Sequence, residues 1–286
     1  MAIRVGISGW RYPSWRGEFY PAGLVQRREL EYASRIFPSI EINGSFYSLQ
    51  PPERWALWAA QTPADFLFAV KAPRFITHVK RLRGIDKPLA NFFASGVLRL
   101  GAKLGPLLWQ LPPSQRFEPD LIEDFLAMLP HDTDAALRLA RRRERRMRGR
   151  VALPRQPRRR LRHALEVRHE SFLDPAFVRL LRRHGVGLVI ADSAGRFPYA
   201  EDMTAGFAYL RLHGDAELYV SGYSAAALAR WAKRIRCWSE GGEPRDARTI
   251  TSPGRALRRR EVYCYFDNDA KVRAPFDAIA LARRLA

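Results

Sequence analysis

Cysteine, lysine and long apolar stretches are all scarce in this chain of 286 residues, and each scarcity excludes a class of protein. Its 2 cysteines, Cys237 and Cys264, show neither zinc-ligand spacing nor a disulfide framework. They are expected to pack as small apolar side chains, and the expected compartment is a reducing, cytoplasmic one. No stretch approaches the roughly 20 consecutive apolar residues that span a bilayer, so no membrane partner is expected. The opening residues, Met1-Ala-Ile-Arg-Val-Gly6, hold no secretory apolar segment. No glycine-rich dinucleotide fingerprint follows any apolar run, which argues against nicotinamide or flavin redox chemistry, and no cofactor is expected. With no Gly- or Ser-rich linker and no internal repeat, residues 1–286 are expected to form one domain.

What the chain does have is eight short apolar runs, most of them ending in a polar residue able to do chemistry. They are Ile3–Ile7, Ile40–Ile42, Phe66–Val70, Leu107–Trp109, Ala164–Val167, Gly187–Ala191, Tyr209–Leu212 and Val262–Phe266. Stretches with helical spacing fall at Pro52–Gln61, Leu89–Leu104, Pro119–Leu129, Pro175–His184, Ala225–Trp238 and Pro275–Leu285, several opening on a proline that suits the first helical turn. Only Tyr199–Thr204 is available for a sixth helix, so a loop is expected there. Strands alternating with helical crossovers predict an α/β fold, a single TIM-type (β/α)8 barrel. In such a barrel the carboxyl ends of the strands form the active face.

Charge is abundant and one-sided. The formal net charge is +20, and residues 141–162 alone hold twelve arginines against Glu144. This basic block, Arg141 to Arg162, is expected to be an exposed, partly disordered insertion between the fourth and fifth strands, contributing nothing apolar to a core. Such a block can hold nucleic acid phosphates through charge. It can equally be a solvated loop in an arginine-biased composition.

Together the segments resemble a known family. Gly6-Ile-Ser-Gly-Trp-Arg-Tyr-Pro-Ser-Trp-Arg-Gly-Glu-Phe-Tyr-Pro21, Glu41-Ile-Asn-Gly-Ser-Phe-Tyr47 and Phe68-Ala-Val-Lys-Ala-Pro-Arg-Phe-Ile-Thr-His78 occur in order. They are followed by Leu104-Gly-Pro-Leu-Leu-Trp-Gln-Leu-Pro-Pro113, Leu165-Glu-Val-Arg-His169, Arg211-Leu-His-Gly214 and Tyr263-Cys-Tyr-Phe-Asp-Asn-Asp269. The set resembles the domain-of-unknown-function 72, or YecE-like, family over nearly the full length. The resemblance implies a TIM barrel and no defined activity. Many members carry Phe-Asn-Asn where this chain has Phe266-Asp-Asn268, and the arginine-rich block lies outside the family core.

Side chains two apart on a strand share a side, so Glu41 pairs with Asn43, Glu166 with Arg168, and Arg211 with His213. A carboxylate buried in helix-layer hydrocarbon is heavily penalised, so these pairs are expected at the polar mouth. With Lys71, Asp192, Gln110 and Asn268 they make the candidate pocket. Glu41, Glu166, Asp192 and His213 are the candidate catalytic acids and bases, with Lys71 as a further acid. Lys71, Arg168 and Arg211 are expected to hold an anion jointly. Asn43, Asn268, Gln110, Trp10, Tyr47 and His78 are the other candidate substrate contacts, the aromatics by stacking on a sugar or base. If the carboxylates are functional, Gln at 41 or 166 is expected to be neutral or stabilising; the alternative is a self-neutralised ion-pair network. A divalent metal on Glu41, Glu166, Asp192 and His213 is the weaker option, since His-x-His and His-Glu-x-x-His are absent and Lys71 and Arg168 would crowd it. The expected function is acid–base chemistry, of hydrolase or lyase type, on an anionic small molecule such as a sugar phosphate or nucleotide fragment. The alternative is a non-catalytic, ligand-sensing protein that binds nucleic acid through its basic block.

Overall fold

The structure, a computed structural model, describes residues 3–254 and 257–286. Eight parallel strands close into a barrel in chain order: β1 (Ile3–Ser8), β2 (Ser39–Ile42), β3 (Leu67–Lys71), β4 (Leu104–Gln110), β5 (His163–Glu166), β6 (Gly187–Asp192), β7 (Phe207–Leu212) and β8 (Glu261–Phe266), with β8 returning to pair with β1. Closure removes every sheet edge, and both faces of each strand are covered, which is why the strands are nearly continuous apolar runs. The α/β barrel expected from the alternation is therefore present.

The outer layer comprises α1 (Glu29–Ile36), α2 (Gly44–Tyr47), α3 (Pro52–Ala60), α4 (Asp86–Ala94), α5 (Pro119–Met128), α6 (Thr133–Arg141), α7 (Pro175–His184), α8 (Ala225–Ser239) and α9 (Arg273–Leu285). Their boundaries follow local chemistry. Asp132 and Ser224 cap α6 and α8 by accepting from the N–H groups of Ala135 and Ala227. On α7, Asp174 caps ahead of Pro175, and left-handed Gly185 ends the helix. Between β6 and β7 there is no helix, and Tyr199–Thr204 is coil. Helix α1 was not foreseen, and the stretch expected as one helix from Leu89 is α4 followed by a 3-10 segment, Val97–Lys103, kinked at Gly101.

Residue parity along the strands separates two cores. Ala69, Leu108, Ala164, Val189, Ala191, Tyr209, Tyr263 and Tyr265 fill the barrel interior. Their sequence neighbours Val70, Leu107, Leu165, Ile190, Leu210 and Cys264 belong to the larger layer between sheet and helices. Gly6 is where strands approach closely, since a Cβ there would stand 1.9 Å from the Ser39 carbonyl oxygen.

The basic block departs from expectation. After α6 it forms a 3-10 turn, Arg145–Met147, with Met147 buried and Val151 and Leu153 packed on the core. The Ala152 N–H donates to the Ala94 carbonyl at 3.0 Å, and the Asn91 side chain accepts from the Glu144 N–H and donates to its carboxylate. The segment is fastened to α4 by these hydrogen bonds and to the core by apolar side chains that the arginine count conceals. It is not a detached charged loop.

Candidate functional site

Interior parity carries the last polar residue of six strands to the carboxyl end of the barrel: Ser8, Glu41, Lys71, Gln110, Glu166 and Arg211 continue the interior-facing series. At the centre lies Arg211, fully buried. Its Nη1 donates to Glu166 Oε2 at 2.8 Å, and its Nη2 donates to Glu41 Oε1 at 2.9 Å and to Asp267 Oδ2 at 2.7 Å. Glu41 also accepts from Ser8 Oγ and, at 2.6 Å, from the Tyr209 hydroxyl. Asn43 donates to Ser8 Oγ at 2.9 Å, so Glu41 and Asn43 do share a side.

A second cation sits above. Arg168 Nε donates to Glu166 Oε1 at 2.8 Å, and its Nη2 donates to Gln110 Oε1 at 3.0 Å and the Tyr219 hydroxyl at 3.2 Å, while the guanidinium lies 4.3 Å from the Phe197 ring centroid. Its Nη1 makes no hydrogen bond among the described residues. Burial alone would push the Glu166 carboxyl up, but Arg168 and Arg211 hold it well below the usual carboxylate range. Asp267 behaves alike: burial raises it, and Arg211 and His213 outweigh that and lower it. His213 Nδ1 is 3.1 Å from Asp267 Oδ2, without hydrogen-bond geometry, and neither ring nitrogen has a hydrogen-bond partner among the described residues. The Tyr219 ring stands edge-on to His213, 5.3 Å between centroids, in a loop that leaves β7 through Gly214 at φ +130°, where a Cβ would meet the Glu217 carbonyl.

Lys71 is the third cation and differs from the other two. It is 9% exposed, and its Nζ lies 4.3 Å from the Phe46 ring centroid. Among the described residues it makes no ion pair and no side-chain hydrogen bond. Burial and the neighbouring Arg211 lower its pKa to about 8, against the opposing pull of Asp267, Glu41 and Glu166. His78 packs edge-on to Phe46, and burial together with Lys71 and Arg168 lowers it to about 4.

Several expected roles are revised. Asp192 is not in the cluster: it registers with Leu212, which faces the helix layer, whereas Ala191 takes the interior position. The Asp192 carboxylate accepts from Tyr223 at 3.1 Å and borders a separate cavity of about 310 Å³ with Glu201, Arg230 and Arg248. Asn268 also faces outward, donating to the Ser221 carbonyl at 2.9 Å and to Asp277 at 2.8 Å, so it ties the loop after β7 to α9. Asp267 takes the interior place; counting in twos from Tyr263 and Tyr265 would have found it. Arg211 spends both terminal nitrogens on three carboxylates, so an anion held jointly by Lys71, Arg168 and Arg211 is not what the geometry offers. Glu166 accepts from two guanidinium groups, so Gln there would remove charge-assisted bonds, and a loss of stability becomes the expected outcome of that substitution. No group of three His, Cys, Asp or Glu side chains able to hold a metal ion occurs among the described residues, and a guanidinium occupies the space between Glu41, Glu166 and Asp267.

The aromatic candidates divide. Trp10 is buried, edge-on to Trp58 at 5.3 Å, whereas Tyr47 is 70% exposed. Both border a cavity of about 350 Å³ with Tyr12, Asn43 and Arg54 beside the mouth. No helix among the described residues is long and apolar enough to cross a membrane.

Comparison with known proteins places this geometry in context. UPF0759 protein YecE of Escherichia coli K12 is 29% identical over 199 residues, 67% of this chain and 59% of YecE, so the match spans less than two thirds of that relative. UPF0759 protein YunF of Bacillus subtilis 168 is 31% identical over 116 residues, covering 39% of this chain and 40% of YunF. A crystal structure of a DUF72 family protein from Thermotoga maritima MSB8 superposes with a TM-score of 0.72 at 24% identity, covering 100% of this chain and 99% of that one. Another, from Enterococcus faecalis V583, gives 0.69 at 17% identity, covering 99% and 95%. At such identities the two structures attest the fold alone. The model of the family described as "Protein of unknown function DUF72" matches residues 4–286, and the chain belongs to that family.

Proposed function

We propose that the barrel mouth is an enzyme active site performing acid–base chemistry, of hydrolase or lyase type, on a small anionic molecule such as a sugar phosphate or nucleotide fragment. One observation carries the reading. Above the closed Arg211–carboxylate network lie two cations with capacity left over, Arg168 through its Nη1 and Lys71 entirely. An arrangement made only for stability would pair them, because unpaired buried charge is costly and apolar residues serve as well. In this reading Arg168 receives the anionic group and Lys71, with a pKa near neutrality, moves the proton. Asp267 and His213 form the adjoining carboxylate–imidazole pair, and Glu41 and Glu166 fix Arg211 beneath them. Calorimetric titration with orthophosphate and a panel of sugar phosphates and nucleotides is the test. Binding that is lost in Arg168→Met, with turnover that is lost in Lys71→Met, is expected. No binding and no turnover across the panel would overturn the reading.

A second reading rests on a different surface. Arg146 and Arg150 of the basic block line a groove of about 320 Å³ together with Tyr47 and Phe75, which are 70% and 42% exposed. Arginines beside exposed aromatic rings are what a single-stranded nucleic acid uses, phosphate on the charge and base on the ring. Salt-sensitive binding of a single-stranded oligonucleotide that weakens in Tyr47→Ala and in Arg146→Ala/Arg150→Ala supports this reading; binding indifferent to all three removes it.

A further inference from the structure

We propose that Lys71 is a covalent nucleophile, forming an imine with a small carbonyl compound that also carries a carboxylate or phosphate. The inference rests on the mouth being the active site and names the substrate class that site would take. An amine attacks a carbonyl carbon only when neutral, accessible at its tip and free of a permanent ion pair. Lys71 makes no ion pair among the described residues, burial lowers its pKa toward the neutral amine, and at the barrel's carboxyl end the residue keeps 9% of its surface exposed. It ends β3 on the interior side, one turn of the pleat above Ala69, so its stem is fixed by the sheet. Its ammonium faces the Phe46 ring and no carboxylate claims it among the described residues, because Glu41, Glu166 and Asp267 are all engaged by Arg211. The same guanidinium repels the ammonium form and so favours the amine. Arg168, whose Nη1 makes no hydrogen bond among the described residues, donates to Gln110 at the end of β4, the strand paired with the β3 that ends in Lys71, which puts an anion receptor and an amine on neighbouring strand ends of the mouth.

The step balances without any further reactant. Neutral Nζ adds to the carbonyl carbon, making the C–N bond, and the carbonyl oxygen takes up a proton. Loss of that oxygen as water, with the second proton from nitrogen, leaves the C=N bond. Solvent at the open edge of the cluster, where the Asp267 side chain is 13% exposed, takes the proton that the ammonium gives up. The protonated imine then withdraws electrons from the neighbouring carbon, which is the use a lyase would make of it.

Reductive trapping tests this on the full-length protein. Wild type is incubated with pyruvate or dihydroxyacetone phosphate and sodium cyanoborohydride at pH 8, then examined by intact mass and peptide mapping. A single adduct on Lys71, one ligand less a water plus the two hydrogens of reduction (a net gain of the ligand less one oxygen), is expected. With a pKa of about 8, Lys71 is half neutral at that pH, and it should react about 100-fold ahead of exposed lysines such as Lys80 and Lys233. Lys71→Arg should abolish the adduct and leave the melting temperature near that of wild type. Labelling confined to surface lysines, or absent with both compounds, overturns the inference. The wild-type map settles this even if the variant folds poorly. Orthophosphate calorimetry on the same sample separates the two proposals: phosphate binding without trapping removes only the imine, trapping without phosphate binding supports the imine and removes the anion receptor, and the absence of both removes both.

Discussion

Replacing Arg211 with Met is the most demanding check on the network at the mouth. The substitution keeps much of the side-chain volume and deletes the charge that meets Glu41 at 2.9 Å, Glu166 at 2.8 Å and Asp267 at 2.7 Å. The three carboxylates do not suffer equally. Glu166 keeps Arg168, and Asp267, with a side chain 13% exposed, can be hydrated. Glu41 is left wholly buried with only the hydroxyls of Ser8 and Tyr209. Breaking a buried pair from one side costs about 3–5 kcal/mol. For a chain of this size each kcal/mol is worth roughly 2–4 °C in melting temperature, so a fall of about 6–20 °C is expected at neutral pH. The pH dependence has a definite sign. In the wild type Glu166 and Asp267 titrate below their unfolded values, which adds stability above about pH 4 that is lost as pH falls through the folded values. In the variant the orphaned carboxyls titrate above their unfolded values, so their stability is present below about pH 4 and is lost as pH rises through the raised folded values. The gap between the two proteins is therefore widest at pH 7–8 and narrows toward pH 4, as calorimetric unfolding at both ends would show. Adding Glu41→Gln to Arg211→Met should recover part of the loss, whereas in the wild-type background it should not stabilise. A deficit under about 1 kcal/mol, or one independent of pH, would refute the network as a stabilising unit.

Three further outcomes are expected. Met147→Ala should destabilise by about 2 kcal/mol, and excising residues 142–160 by more, because the basic block is anchored through that side chain; unchanged melting curves would return it to a detached loop. Asp192→Asn should leave orthophosphate affinity and lysine trapping at the mouth unchanged, since its carboxylate faces Tyr223 in a separate cavity; a loss of either would reconnect it to the site. Asn268→Ala should lower stability by about 1–3 kcal/mol through the orphaned Asp277 and Ser221 groups while sparing Lys71 trapping, checked by urea unfolding alongside peptide mapping.

Much of the site was legible because alternation is a local property of a strand. Glu41 with Asn43, and Glu166 with Arg168, follow from a period of two, and both pairs converge as that period requires. The same rule was available for β6 and β8, where phase decides between Ala191 and Asp192 and between Asp267 and Asn268. The polar residue at the end of the run was preferred over the residue in phase with Val189 or with Tyr265, and in both strands the phase was right. The basic block misled for another reason: its charge dominates any composition count, while its attachment depends on a few side chains, Met147, Val151 and Leu153, whose burial needs α4 opposite them.

By itself, then, the sequence determined the repeating strand–helix alternation, the inner and outer faces of each strand and the polar residues available at the active face, all of them consequences of near-neighbour geometry. Only the tertiary structure decided that Arg211 meets Glu41, 170 residues away in sequence, together with Glu166 and Asp267, and that Lys71 has no ion-pair partner among the described residues. Those facts depend on how eight strands close and at what depth their ends meet. Closure sets which charges neutralise one another and which remain free to act.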